Sequence, residues 1–218
     1  MEFNKEHKSN IYPIQHYVEQ IQNEKVLFCI PNRACGAEMY QTFTTLLFFE
    51  LYIEYHKFNY VVELGSSKGG LSVYLANTAS STEQFLFHTF EIDKDSWWYN
   101  RPIGGVGHWF EKLETISPYI KSFQMDVFGD EAKNIIRTNM VEYKTLIFCD
   151  GGNKVNEFNY YSQFLKPGDC IVTHDWNTEI SQSDIQDSLD KYNLIIDDNF
   201  VKLCDDTVSL LKPFIKII

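Results

Sequence analysis

The chain has 218 residues, with 30 Asp+Glu against 19 Lys+Arg and a formal net charge of −11. So acidic a chain is a poor partner for nucleic-acid phosphates or an anionic membrane, both of which recruit Lys and Arg. At 44% hydrophobic and 16% aromatic, it has core material for one folded domain with a modest extension, and is not a disordered polymer.

Met1–Asn10 is polar and carries no apolar signal-peptide core. Ile14, Tyr17, Val18 and Ile21 fall at helical spacing, and a short strand, Val26–Ile30, stops at Pro31. Residues 37–57 read as a long aromatic-rich helix, a stripe suited to a core or a subunit interface, so a homo-oligomer is one expectation. Residues 1–57 thus form a helical N-terminal extension packed on a core of residues 58–218.

From Tyr60 the pattern becomes regular. Strands are expected at 60–64, 85–92, 119–124, 145–149 and 170–173. Helices are expected between them at 69–79, 108–117, 131–140 and 155–165, and another at 181–191. Residues 192–196 and 207–211 read as a final strand pair, the second ending before Pro213. This alternation predicts an α/β fold with a doubly wound, mainly parallel, Rossmann-like sheet. Ligands of such sheets sit at the carboxyl ends of the strands.

The five cysteines, Cys29, Cys35, Cys149, Cys170 and Cys204, are odd in number and form no CxxC pair. No apolar stretch is long enough to span a bilayer. The expectation is a reducing, cytoplasmic setting with Cys149 and Cys170 as buried thiols.

The strand ends carry the chemistry. The first ends Glu63-Leu64-Gly65-Ser66-Ser67-Lys68-Gly69-Gly70. A glycine there permits a tight turn and a close backbone approach. The spacing is neither the G-x-G-x-x-G of dinucleotide folds nor a phosphate-binding P-loop. Glu63 would repel a pyrophosphate but suits a cationic ligand. The second strand ends at Glu91, with Asp93 as second choice, placed to accept hydrogen bonds from ribose hydroxyls. Asp126 follows the third strand, where an exposed Asp opening a loop is an equally good reading. Asp150 follows the fourth strand, and His174-Asp175 follow the fifth. Two carboxylates and an imidazole brought together make a reasonable divalent-cation site.

The acidic-x-Gly-x-x-x-Gly loop at Glu63, Gly65 and Gly69 resembles motif I of class I S-adenosylmethionine methyltransferases. Asp150, Gly168-Asp169 and His174-Asp175 together resemble the metal-dependent O-methyltransferases of the cephalosporin hydroxylase and macrolide-sugar group. They are more distantly similar to catechol and caffeoyl-CoA O-methyltransferases. The likeness covers about residues 35–176. It implies S-adenosylmethionine held by Glu63, Gly65, Ser66, Gly69, Glu91, Asp126 and Asp150, the last also a metal ligand. It implies a divalent metal at Asp150, His174 and Asp175, magnesium in the related enzymes. His174 stands where those families carry a carboxylate, which shifts preference toward manganese, iron or zinc, or makes His174 a base. Lys154 and His108 are further candidates for the base. The activity implied is methyl transfer to a hydroxyl of a small molecule such as a sugar or natural product. Two rivals are a metal-dependent oxidase or hydroxylase-like enzyme of the same fold, and a non-catalytic S-adenosylmethionine-binding subunit. The Gly104, Gly105 and Gly107 insertion, flanked by Trp97, Trp98, Tyr99 and Trp109, reads equally as a substrate lid or a plain loop.

Overall fold

The computed structural model describes residues 41, 43–66, 69, 71–72, 74–75, 85–92, 120–204 and 210–218. In chain order these give α1 (Phe43–His56), β1 (Tyr60–Leu64), β2 (Leu86–Glu91), β3 (Ile120–Gln124), α2 (Asp130–Glu142) and β4 (Thr145–Cys149). There follow α3 (Lys154–Tyr161) with a 3-10 turn at Ser162–Phe164, β5 (Cys170–Thr173), α4 (Gln182–Tyr192), β6 (Leu194–Ile196), α5 (Asp198–Cys204) and β7 (Lys212–Lys216).

Every residue of β1, β4 and β5 is buried, as expected of mostly apolar strands at the centre of a sheet covered on both faces. The strand order is β3-β2-β1-β4-β5-β7-β6, parallel except for β7. The order reverses between β1 and β4, so a crevice opens there at the carboxyl ends. Leu64 pairs with Cys149, and Cys149 with Thr173. The ladder runs one step further: Asp150 N–H donates to the Leu64 carbonyl at 2.9 Å, and His174 N–H to the Cys149 carbonyl at 3.0 Å. Register alone therefore brings Asp150 and His174 side by side.

Two hydrophobic clusters sandwich the sheet. On one face α1 contributes Leu46, Phe48, Phe49, Tyr52 and Ile53, packed on Val61, Phe87, Phe148 and Val172. On the other, Ala132, Ile136 and Met140 of α2, Phe158 and Tyr161 of α3, and Ile185 and Leu189 of α4 cover Val62, Ile147 and Ile171. Most of the aromatic stripe of α1 is spent on this core, with Tyr55 left exposed. Cys149 and Cys170 are buried free thiols, as expected.

The C-terminal end departs from the sequence reading. The last described strand is Lys212–Lys216, which leaves out Leu210 and Leu211 of the strand expected at 207–211, the rest of which lies outside the described residues, and it runs through Pro213 between β5 and β6. The proline is tolerated because it lies opposite Asp197, just past the end of β6, where no ladder partner awaits an N–H. Its carbonyl still accepts from Asp197 N–H at 3.1 Å. Helix α5 was not anticipated. Asp197 is buried, its Oδ2 2.7 Å from His56 Nε2. Of the helix expected at 69–79, Leu71, Ser72, Tyr74 and Leu75 are helical. The expected N-terminal elements, the helix at 108–117, the glycine insertion with its aromatics, Asp93 and His108 lie outside the described residues.

Candidate active site

The turn after β1 is set by its glycines. Gly65 has φ +93° and Gly69 φ +68°, conformations that L-residues seldom adopt. A Cβ on Gly65 would stand 2.5 Å from Gly151 Cα and 2.6 Å from the Asp150 carbonyl oxygen. The glycine first assigned to ligand approach is thus required by the turn after β4. Gly151 is constrained in its own right, since a Cβ there would meet the Glu157 carboxylate at 2.1 Å.

Glu63 does not present a free carboxylate. It is 1% exposed, and its Oε2 accepts from Thr89 Oγ1 at 2.6 Å and from Ser72 Oγ. Burial pushes its carboxyl up to about 8, against the pull of these two hydroxyls. Ser66 is buried in the same cluster, its Oγ 2.5 Å from Thr89 Oγ1 and 3.1 Å from the Phe90 carbonyl it donates to. Glu91 stands half-exposed at the end of β2. Asp126 is exposed, and its Oδ1 accepts from Phe128 N–H at 2.8 Å, an Asx turn leading toward α2. That is the loop-opening reading of Asp126.

Asp150, His174 and Asp175 do converge, with ligand atoms all within 4.8 Å of one another. Asp150 Oδ1 lies 2.8 Å from His174 Nδ1, and Asp175 Oδ2 lies 3.4 Å from the same nitrogen. Asp175 has φ +56°, a strained value for a non-glycine residue that aspartate tolerates better than most. Burial alone would lower the His174 pKa, but its hydrogen bonds to Asp150 and Asp175 outweigh that and raise it to about 9. Asp175 is held well below the usual carboxylate range by His174 and then by Lys154.

Lys154 opens α3 and is 6% exposed. Its ammonium donates to Glu179 Oε2 at 2.8 Å and the Gly151 carbonyl at 3.1 Å, and pairs with Asp175 Oδ2 at 2.9 Å. Burial would lower its pKa, yet these acids hold it above the ordinary lysine value. A general base needs the opposite shift, so in this arrangement Lys154 is a fixed cation.

Three participants were not singled out from the sequence for these contacts. Gln41 donates from Nε2 to Asp150 Oδ2 at 2.9 Å, and its Oε1 is buried with no hydrogen-bond partner among the described residues. Glu157 accepts from Gly151 N–H at 3.2 Å and Asn153 N–H at 3.4 Å, fastening the turn after β4. Glu179 anchors Lys154. Each contact joins segments separated along the chain or depends on turn geometry, and no local motif announces it.

No family profile matches the chain, and no curated protein does. Solved structures do. A Staphylococcus aureus protein assigned as a caffeoyl-CoA O-methyltransferase superposes with TM-score 0.57 at 12% identity, covering 93% of this chain and 98% of its own. CmcI with magnesium and S-adenosylmethionine gives 0.56 at 15%, over 82% and 74% of the two chains. An O-methyltransferase from Bacillus cereus in complex with S-adenosylhomocysteine gives 0.51 at 11%, over 98% and 96%. At such identities the likeness is one of architecture, and the protein has the fold of the class I S-adenosylmethionine-dependent methyltransferases.

Proposed function

We propose that the protein is an S-adenosylmethionine-dependent O-methyltransferase acting on a hydroxyl of a small molecule such as a sugar or natural product, assisted by a divalent cation. The observation that carries this reading is the meeting of Asp150, His174 and Asp175 at the switch point of the sheet, beside a glycine turn and the Glu91 strand end. Two solved neighbours, from Staphylococcus aureus and Bacillus cereus, are named for O-methyl transfer, and the second of these and CmcI hold S-adenosylhomocysteine and S-adenosylmethionine respectively, which supports the reading.

The donor set fits a divalent cation: two carboxylates and an imidazole in close reach. Asp150 and Asp175 would hold it, with magnesium, manganese, iron or zinc compatible with a histidine nearby. The cation would supply positive charge that lowers the pKa of the acceptor hydroxyl. His174 would serve in one of two exclusive ways. It would be a third ligand through Nδ1, or, with Nδ1 kept on Asp150 and once the proton that Asp150 and Asp175 stabilise on it has left, it would take the acceptor's proton at Nε2. Glu91 would bind the ribose, Asp126 the adenine, and Gly65, Ser66 and Gly69 would shape the turn that the cofactor lies against. Glu63 would brace that turn from within through Ser72 and Thr89. S-adenosylmethionine would supply the methyl group from its sulfonium. The chain's own task is then to orient the acceptor oxygen in line and to hold its proton.

The acceptor is small rather than a nucleic acid, given the net charge of −11. No helix among the described residues is long and apolar enough to cross a membrane. The free thiols Cys149 and Cys170 support a reducing, cytoplasmic setting.

Isothermal titration with S-adenosylhomocysteine tests the cofactor half of the reading. The wild type is expected to bind, and Glu91→Ala to bind at least about tenfold more weakly through loss of a charge-assisted bond. A wild type that fails to bind would sink the proposal.

A further inference from the structure

We infer that Lys154 is a tethered cation that occupies the carboxylate site and competes with a divalent ion for it, with Glu179 as its standing place when it withdraws. The inference rests on the proposed cation site and extends it to two residues outside the ligand set.

The position of Lys154 is unusual on physical grounds. Lysines are seldom buried unless paired, and this one is 6% exposed. It also sits in the first turn of α3, where the helix dipole disfavours a positive charge. Neighbouring oxygens compensate for both costs. The three N–H donors of an ammonium match three close acceptors: Glu179 Oε2 at 2.8 Å, Asp175 Oδ2 at 2.9 Å and the Gly151 carbonyl at 3.1 Å. A fourth oxygen, Asp150 Oδ1, lies 4.0 Å away. The ammonium therefore stands against both carboxylates that a divalent ion would need.

Those acceptors divide into two groups. Asp175 and Asp150 belong to the cation site. Glu179 and the Gly151 carbonyl do not. A lysine that releases Asp175 keeps two of its three close partners, so withdrawal leaves no buried charge unpaired. Glu179 itself is exposed at the rim, and its backbone is fixed by Glu179 N–H donating to the Asp175 carbonyl at 2.9 Å. The site thus has two occupants in exchange, one built in and one soluble. The consequence is a weakened, tunable affinity for the metal rather than a permanently loaded centre.

Mn²⁺ binding to the full chain, read by electron paramagnetic resonance, tests this without any turnover. Lys154→Met is expected to bind Mn²⁺ at least about tenfold more tightly than wild type, and Lys154→Arg to stay near the wild-type value. Glu179→Gln is expected to weaken binding severalfold, and to have no such effect when combined with Lys154→Met. Should Lys154→Met fail to fold, Lys154→Gln replaces it. S-adenosylhomocysteine binding and the melting temperature serve as folding controls. Binding that is unchanged or weaker in a folded Lys154→Met protein overturns the inference. Binding by Lys154→Met with none by wild type upholds the inference and removes the metal from the proposed wild-type reaction. No Mn²⁺ binding by either, with S-adenosylhomocysteine still bound, overturns the inference and the metal site together while the cofactor reading stands.

Discussion

Two histidine–aspartate pairs of nearly equal length sit in different parts of this molecule. His56 Nε2 lies 2.7 Å from Asp197 Oδ2, and His174 Nδ1 lies 2.8 Å from Asp150 Oδ1. Each pair also has a third group near enough to complete a metal-ligand triad, Cys170 in the first and Asp175 in the second. Their settings separate them. The first pair is walled by aromatic rings, Tyr52 at 4.6 Å, Phe58 at 5.3 Å and Phe200 at 5.7 Å between centroids. It ties the last turn of α1 to the residue after β6. The second pair stands at the open ends of β4 and β5, with its side chains 16% exposed and further charges, Asp175 and Lys154, around it. A hydrogen-bonded His–Asp pair is therefore a structural element by default. Access and a surplus of charge are what make one of them a candidate for chemistry.

Substitutions in the two pairs should have opposite consequences, and that is how the contrast can be broken. Asp150→Asn is expected to cut methyl transfer about a thousandfold, the range of a lost acid–base or charge contribution, with a melting temperature close to wild type. A fully active variant would leave the strand-end pair no more functional than the buried one. Asp197→Asn should do the reverse. Removing the charge from a buried, hydrogen-bonded carboxylate is expected to cost about 2 kcal/mol in urea unfolding, while turnover per folded molecule stays at the wild-type level. Burial would raise the Asp197 carboxyl, but its hydrogen bond to His56 outweighs that and sets it below the ordinary value. Its stabilisation is accordingly present above the unfolded pKa and lost as pH falls through the lower folded one. The difference between wild type and Asp197→Asn should therefore close in acid, and a gap that persists unchanged at low pH would contradict this origin.

A further effect sharpens the contrast with a carboxylate whose hydrogen-bond partners among the described residues are neutral hydroxyls. Glu63 has a folded pKa raised to about 8. Its contribution to stability is therefore fully present below the ordinary carboxyl pKa and is lost as pH rises through the folded value. Cofactor-free wild type should lose stability over that interval at no more than about 1.4 kcal/mol per pH unit, and Glu63→Gln should show a flatter profile. Parallel profiles for the two proteins would mean that Glu63 is ionised in the fold throughout.

The strand ends were legible because short apolar runs stop at glycine or a charged residue, and register then forces their neighbours together. Thr145–Cys149 and Cys170–Thr173 were read at their observed bounds, and Asp150, His174 and Asp175 followed. What stayed hidden depends on contacts across the chain. The burial of Asp197 has no local signal, because its partner His56 is 141 residues away. Gln41 reaches Asp150 over 109 residues, and Glu179 reaches Lys154 over 25. The last strand was misplaced because a proline was taken as a stop, whereas a proline beside the end of a three-residue edge strand removes no ladder bond.

The collision that any side chain on Gly65 would make with Gly151 bears on how such proteins can change. The turn after β1 and the turn after β4 are moulded against each other, one serving the proposed cofactor and the other the acids. A chimera that brings any residue other than glycine into position 65 sets its Cβ against the backbone of the turn after β4. The two loops thus constrain each other, and loop grafting in this fold has to keep the glycine of the first turn wherever the fourth is kept, despite the distance between them in the chain.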